Sequence, residues 1–348
     1  MAARRIVLCD RSEARRAGLR GFLEHDQQLE VVGSFASVDS MLARLRDLGA
    51  DLVVLAIDTA GSSPAETVER TMRAGTAPVV ALAGRGAGDG RLEEALKAGA
   101  LEAIDESRLD LSDADSVWAT AARGRFKRLS SQRPRRAAGW SSGDASPRQP
   151  PQPPRARGAG VRAVGVGASV GGPPALAAVL GALPPDFPLP LLIVQHTAPG
   201  FGDSLVHWLD RTVEIAVAAA VEGAPLSPGA WVAPDGAHLR LERDLTLSLD
   251  RTTVSGAHRP SLNVLFESLA TALGPEAVGV VLTGMGRDGA DGVKAMVAAG
   301  AVVIAQDEET SAVYGMPAAA VEAGAEIVLP LEEVGVAVSR MTSGVGAG

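Results

Sequence analysis

Aromatic residues are scarce in this chain, 3% of 348 residues, and cysteine occurs once. So few aromatics mean that any core must be aliphatic and alanine-rich. A lone Cys9 excludes an internal disulfide, and its place in the apolar run Ile6-Val7-Leu8-Cys9 reads as a buried, inert thiol. No apolar stretch is long and unbroken enough to span a bilayer, and the run behind Arg4 and Arg5 is too short for a signal-peptide core. A cytoplasmic protein without membrane insertion is expected. A surplus of positive charge is missing too: a net charge of −8 argues against general affinity for nucleic acid.

What is present fits a globular protein, with 46% hydrophobic and 21% charged residues, and the length suits two domains. One segment departs from the average. Residues 123–162 are rich in arginine with Asp144 almost their only acid, and from Ser130 onward Pro, Gly, Ser and Gln dominate. Too few apolar side chains remain there to offset ordering entropy, so residues 129–160 read as a disordered linker between domains at 1–128 and 161–342. A solvated tether is the simpler reading of its charge; docking on an acidic surface or RNA is the alternative.

Before the linker, apolar runs at 5–9, 29–33, 51–56, 78–83 and 101–104 alternate with amphipathic stretches such as 12–24 and 38–48, a (βα)5 pattern. Near-continuous apolar runs such as Leu52-Val53-Val54-Leu55 suit parallel strands covered on both faces, and a flavodoxin-like doubly wound sheet follows. After the linker the pattern restarts, with strands at 161–167, 189–196, 277–283 and 301–305 and helices at 174–183, 201–210, 261–273 and 288–299. This is a second, Rossmann-like parallel sheet. Short strands at 230–232, 238–242 and 245–250, turning near Asp244, look like a small antiparallel insertion.

The first half resembles a response-regulator receiver domain over about 4–125, by strand order and by runs such as Ile6-Val7-Leu8-Cys9-Asp10-Arg11-Ser12 and Leu96-Lys97-Ala98-Gly99-Ala100. That resemblance implies an acidic pair for Mg²⁺, a phosphoacceptor aspartate, a hydroxyl and a lysine. Here the pair reads Asp10-Arg11, the acceptor position holds Ala56, the hydroxyl position Ala83 and the lysine position Glu106. Asp58 stays open as a displaced acceptor, since alternation puts it on the same side as Ala56. Mg²⁺ needs convergent oxygens, and Arg11 would repel it. A pseudo-receiver without phosphoacceptor or metal is expected.

In the second half, Gly167-Ala168-Ser169-Val170-Gly171 fits G-x-S-x-G between a strand and a helix, which lifts a serine hydroxyl above the sheet edge. A dinucleotide loop is the rival, but Val170 stands where the third glycine of G-x-G-x-x-G belongs, and no acid ends the next strand. That strand ends instead in His196, where a base is useful, while His25, His207, His238 and His258 read as surface or packing residues. A third strand runs into Thr283-Gly284-Met285-Gly286-Arg287-Asp288, with Asp288 near a helix start, either as orienting carboxylate or merely as that helix's N-cap. The order Ser, His, Asp disfavours the α/β-hydrolase fold.

With Gly167-Ala168-Ser169-Val170-Gly171-Gly172-Pro173, Val194-Gln195-His196, Arg259-Pro260-Ser261, Leu282-Thr283-Gly284-Met285-Gly286-Arg287-Asp288-Gly289, Gln306-Asp307-Glu308 and Tyr314-Gly315-Met316-Pro317, this half resembles the chemotaxis protein-glutamate methylesterases over about 160–340. The resemblance implies hydrolysis of glutamate γ-methyl esters on chemoreceptors or related methylated proteins, in some members also glutamine deamidation, with Ser169, His196 and Asp288 as triad and no cofactor. Main-chain N–H groups near Val170 and Met285, beside Gly284, are the oxyanion and pocket candidates. Val170 departs from the family's usual threonine. Receiver control would require phosphorylation; without it, either the two domains stay apart and basal activity is high, or a regulatory partner on the first domain separates them. A non-catalytic adaptor and a hydrolase of small-molecule esters are the rival readings.

Overall fold

The computed structural model describes residues 3–58, 63–75, 77–84, 89–105, 117–130, 160–197, 202–253 and 258–342. They fall into two compact units, Met1–Ala137 and Ala138–Gly348. Glu106 and residues 131–159 of the expected linker lie outside the described residues.

The first unit is the expected alternation: β1 (Arg4–Cys9), α1 (Glu13–Glu24), β2 (Leu29–Phe35), α2 (Val38–Leu42), α3 (Leu45–Leu48), β3 (Leu52–Ala56), α4 (Pro64–Ala74), β4 (Val79–Ala83), α5 (Asp89–Lys97), β5 (Glu102–Asp105) and α6 (Val117–Leu129). Its five strands are parallel in the order β2-β1-β3-β4-β5, a doubly wound arrangement. Every residue of β3 and β4 is buried, as strands covered on both faces require. Helices start where capping groups stand: the Ser12 and Ser63 hydroxyls accept the Arg15 and Glu66 N–H groups, and Pro64 supplies a preset first turn. The single helix expected over 38–48 is two short ones, with Met41 and Leu45 both buried. Helix α6 runs to Leu129, and Ser130 after it is buried.

The second unit comprises β6 (Ala163–Ala168), α7 (Gly172–Gly181), β7 (Pro190–Gln195), α8 (Gly202–Thr212), β8 (Val217–Ala219), β9 (Gly229–Val232), β10 (His238–Leu241), β11 (Leu247–Asp250), α9 (Leu262–Leu273), β12 (Ala277–Val281), α10 (Ala290–Ala298), β13 (Val302–Gln306), α11 (Met316–Glu322), β14 (Ile327–Leu329) and α12 (Leu331–Thr342). A seven-stranded sheet has the order β14-β13-β12-β6-β7-β9-β8, every pairing parallel. The chain runs outward from β6 through β7, then returns to β12 on β6's other side, which opens a crevice at the carboxyl ends of these strands.

One expectation is corrected. Residues 230–232 belong to β9, which pairs in parallel with β7 and β8; of the three expected segments, β10 and β11 form the antiparallel ribbon. The short spacing between β9 and β10 mimics a hairpin, but Ala230 and Val232 bury against the α7 and α8 side of the main sheet, beside Leu176 and Leu209. The ribbon's turn is at Asp244, whose carboxylate accepts the Thr246 N–H and hydroxyl.

Alternation along β6 explains its glycines. Val164 and Val166 face Leu176, Val179 and Leu180 of α7. Gly165 and Gly167 face α9, where an added Cβ would strike Leu269 and Phe266 at one position and Leu262 at the other. They admit the helix to the strand, which is the role the dinucleotide-loop reading would have given to a pyrophosphate.

Candidate active site

Ser169 follows β6, His196 follows β7, and Asp288 lies in the turn between β12 and α10. Because Ala168 pairs with Gln195, Ser169 and His196 leave adjacent strands side by side, and the His196 N–H donates to the Ala168 carbonyl at 3.0 Å. The imidazole meets the third group: His196 Nε2 lies 2.8 Å from Asp288 Oδ2, both side chains more than nine-tenths buried. Ser169 thus stands on the strand between the two. An ionised carboxylate only accepts, so Nε2 carries a proton, and in the neutral imidazole Nδ1 then keeps its lone pair. Nδ1 is buried without a hydrogen-bond partner.

Burial works against the charge of Asp288, but the His196 hydrogen bond and charge, the Leu262 N–H and the Ser261 hydroxyl outweigh it and hold the carboxyl at about 2. Ser261 Oγ donates to Oδ1 at 2.7 Å and the Leu262 N–H to Oδ2 at 2.7 Å. These are donors at the start of α9, whose own N-cap side chain makes no capping bond. Asp288 therefore caps a helix, but the neighbouring one rather than its own. Asn263 returns the contact, its Oδ1 accepting the Gly289 and Gly292 N–H groups of α10 at 3.0 and 2.9 Å. The two helices lock each other's first turns, and the carboxylate is fixed by the lock.

The serine turn is held by polar side chains below it. Gln195 Nε2 donates to the Ser169 carbonyl at 2.7 Å and to the His196 carbonyl at 3.0 Å. The Ser169 N–H goes to the Thr283 carbonyl at 3.0 Å, and the Thr283 hydroxyl donates to the Val170 carbonyl at 2.9 Å. Gln306 Oε1 in turn accepts the Thr283 N–H at 2.7 Å. Of the pocket candidates, Gly284 stands against Ser169, since a Cβ there would lie 2.9 Å from the serine Cβ. Its N–H is committed to the Val313 carbonyl at 3.0 Å and is no oxyanion donor. Ser169, Val170 and Met285 are half-buried at the crevice.

Two histidines dismissed on sequence belong to the surroundings of the site. His258 stacks on His196 with ring centroids 4.2 Å apart and planes within 10°. His238 is fully buried; its Nδ1 accepts the Ser261 N–H and its Nε2 donates to the Thr253 carbonyl, each at 3.1 Å. A loop histidine and a hairpin histidine carry no periodic signal, so only their nearness to the Arg259-Pro260-Ser261 motif could have flagged them.

At the carboxyl end of the first sheet, Ala56 is buried and carries no acceptor oxygen. Two carboxylates converge here, but a guanidinium fills the space: Arg15 Nη1 lies 2.7 Å from Asp58 Oδ2 and its Nε 3.0 Å from Asp10 Oδ2. Burial raises the Asp10 carboxyl, against the Ser12 N–H and Arg15. Arg11, expected to repel a cation, is exposed; Arg15 supplies the positive charge. A divalent cation does not fit between carboxylates already joined by an arginine. Cys9 is buried as expected, and burial pushes its thiol up to about 12.

A family model described as CheB methylesterase matches residues 164–338. The chain is 37% identical to protein-glutamate methylesterase/protein-glutamine glutaminase 2 of Anaeromyxobacter dehalogenans, over 97% of both chains. It is also 37% identical to the protein-glutamate methylesterase/protein-glutamine glutaminase of Agrobacterium fabrum, over 98% of this chain and 97% of the relative. Among solved structures, the CheB methylesterase catalytic domain of Thermotoga maritima aligns along its whole length with 54% of this chain, at 34% identity and a TM-score of 0.50. The strand ends that carry Ser169, His196 and Asp288 lie inside the matched region, and the full-length relatives extend the likeness through the first unit: the chain belongs to the CheB methylesterase family.

Proposed function

We propose that the second unit hydrolyses γ-methyl esters of glutamate on a methylated chemoreceptor or related signalling protein, releasing methanol, and deamidates glutamine in the same setting, with Ser169, His196 and Asp288 as its triad. The buried His196–Asp288 pair beside Ser169 carries this reading, in a chain whose full-length relatives are named for both activities. Ser169 Oγ attacks the ester carbonyl as His196 Nδ1 takes the hydroxyl proton; the tetrahedral intermediate collapses and that proton leaves with methoxide as methanol. Water then attacks the acyl-serine, Nδ1 takes its proton, and collapse returns the proton to Ser169 with release of glutamate. Asp288 keeps Nε2 protonated throughout and stabilises the imidazolium. Val170 and Met285 N–H groups serve as oxyanion donors, each worth about 10² to 10³ in rate. The loss of threonine at 170 removes a hydroxyl but leaves the main chain, which Thr283 pins regardless of that side chain.

The full chain is expected to release methanol from a methylated receptor fragment; a fragment that stays fully methylated would contradict the proposal.

The first unit is a pseudo-receiver on this account, with Ala56 at the acceptor position and Arg15 as its internal cation. Incubation of the full chain with acetyl phosphate and Mg²⁺ is expected to leave the intact mass unchanged, and a gain of one phosphoryl group would overturn it. Control then falls to a partner protein that engages this unit.

A further inference from the structure

His196 is anchored at the far end of its ring by one hydrogen bond, Nε2 to Asp288 Oδ2 at 2.8 Å. Such a bond fixes where that end sits but tolerates tens of degrees of rotation, and the ring torsion of histidine is intrinsically broad. Rotation about Cβ–Cγ swings Nδ1, the nitrogen left for proton transfer. Something else must set the plane. The ring of His258, parallel to that of His196 within 10° at 4.2 Å, is placed to do so.

The stacked ring is itself delivered on a tethered backbone. Next to it, Arg259 donates to the Arg251 and Thr253 carbonyls at 2.8 and 2.9 Å. Three residues on, Ser261 gives its N–H to buried His238 and its hydroxyl to Asp288. The same short stretch therefore holds the carboxylate that anchors one end of His196 and the ring that faces its plane.

We propose that His258 is a positioning residue, holding the plane of His196 so that Nδ1 faces the Ser169 hydroxyl. The proposal rests on the triad reading above. It asks only for a flat ring at 258, not for a proton there. The test is methanol release by the full chain carrying His258→Ala, His258→Leu or His258→Phe, beside Ser169→Ala. Alanine and leucine, which lack a flat face, are expected to lower kcat by on the order of 10- to 100-fold with little change in KM. Phenylalanine should restore kcat to within about threefold of wild type, since a stacked plane remains. Thermal melts matching wild type identify which variants are compared.

A phenylalanine variant as slow as alanine would overturn the proposal, because the ring nitrogens would then matter. Full activity in both alanine and leucine variants would overturn it too, as would a rise in KM at unchanged kcat, which marks a substrate contact. Failure of the triad reading shows separately, as undiminished activity in Ser169→Ala.

Discussion

Replacing Ser169 by alanine is expected to lower kcat for methanol release by on the order of 10⁴- to 10⁶-fold, with stability unchanged. The loss is large because the neighbouring hydroxyls described around the site are already engaged, Ser261 donating to Asp288 and Thr283 to the Val170 carbonyl. Stability should hold because the bonds of Ser169 are main-chain ones, to Thr283 and from Gln195 and Gly172, and alanine keeps all three. Rates for the purified variant, with matching thermal melts, check both halves.

Asp288→Asn should lower kcat by about 10⁴-fold, through a different cause. An amide offers N–H donors toward Nε2, which favours the tautomer with the proton on Nδ1 and so removes the base. This variant also changes stability. The folded carboxyl, at about 2, lies below its ordinary 3.8. A depressed carboxyl stabilises the fold above its unfolded value, and that contribution disappears as pH falls from about 4 to about 2. At neutral pH it is worth roughly 2 kcal/mol. Denaturant titrations at pH 7 and pH 3 should therefore show a stability gap between wild type and Asp288→Asn that narrows in acid. The same low value keeps Asp288 ionised wherever the enzyme is active, so its own titration gives no acid limb to the rate profile.

Where the proposed triad sits on strand ends, the sequence was informative. Ser169 and His196 were legible because an apolar strand that breaks into glycines, or ends in a lone histidine, marks the carboxyl edge of a parallel sheet. Asp288 was legible as a candidate, but its orienting and capping uses looked like alternatives. The fold makes them one arrangement, since the carboxylate that holds His196 is also the cap of α9, and no local pattern reveals a cap supplied by another helix. Residues 230–232 misled for a related reason: sequence neighbours suggested a hairpin, whereas burial against β7 decided a parallel pairing. Arg15 and His258 were not legible at all. Arg15 lies on an ordinary amphipathic helix, and only the approach of α1 to the end of β3 brings it to Asp58. His258 matters through a ring contact with a residue 62 positions away.

The identity of the nucleophile is the centre of the account, and covalent labelling tests it most directly. Full-length protein titrated with a serine-directed phosphonofluoridate should gain one adduct that maps to Ser169, with methanol release falling in proportion to the fraction labelled. Undiminished release from protein fully labelled at Ser169, or inactivation by an adduct elsewhere with Ser169 untouched, would contradict it.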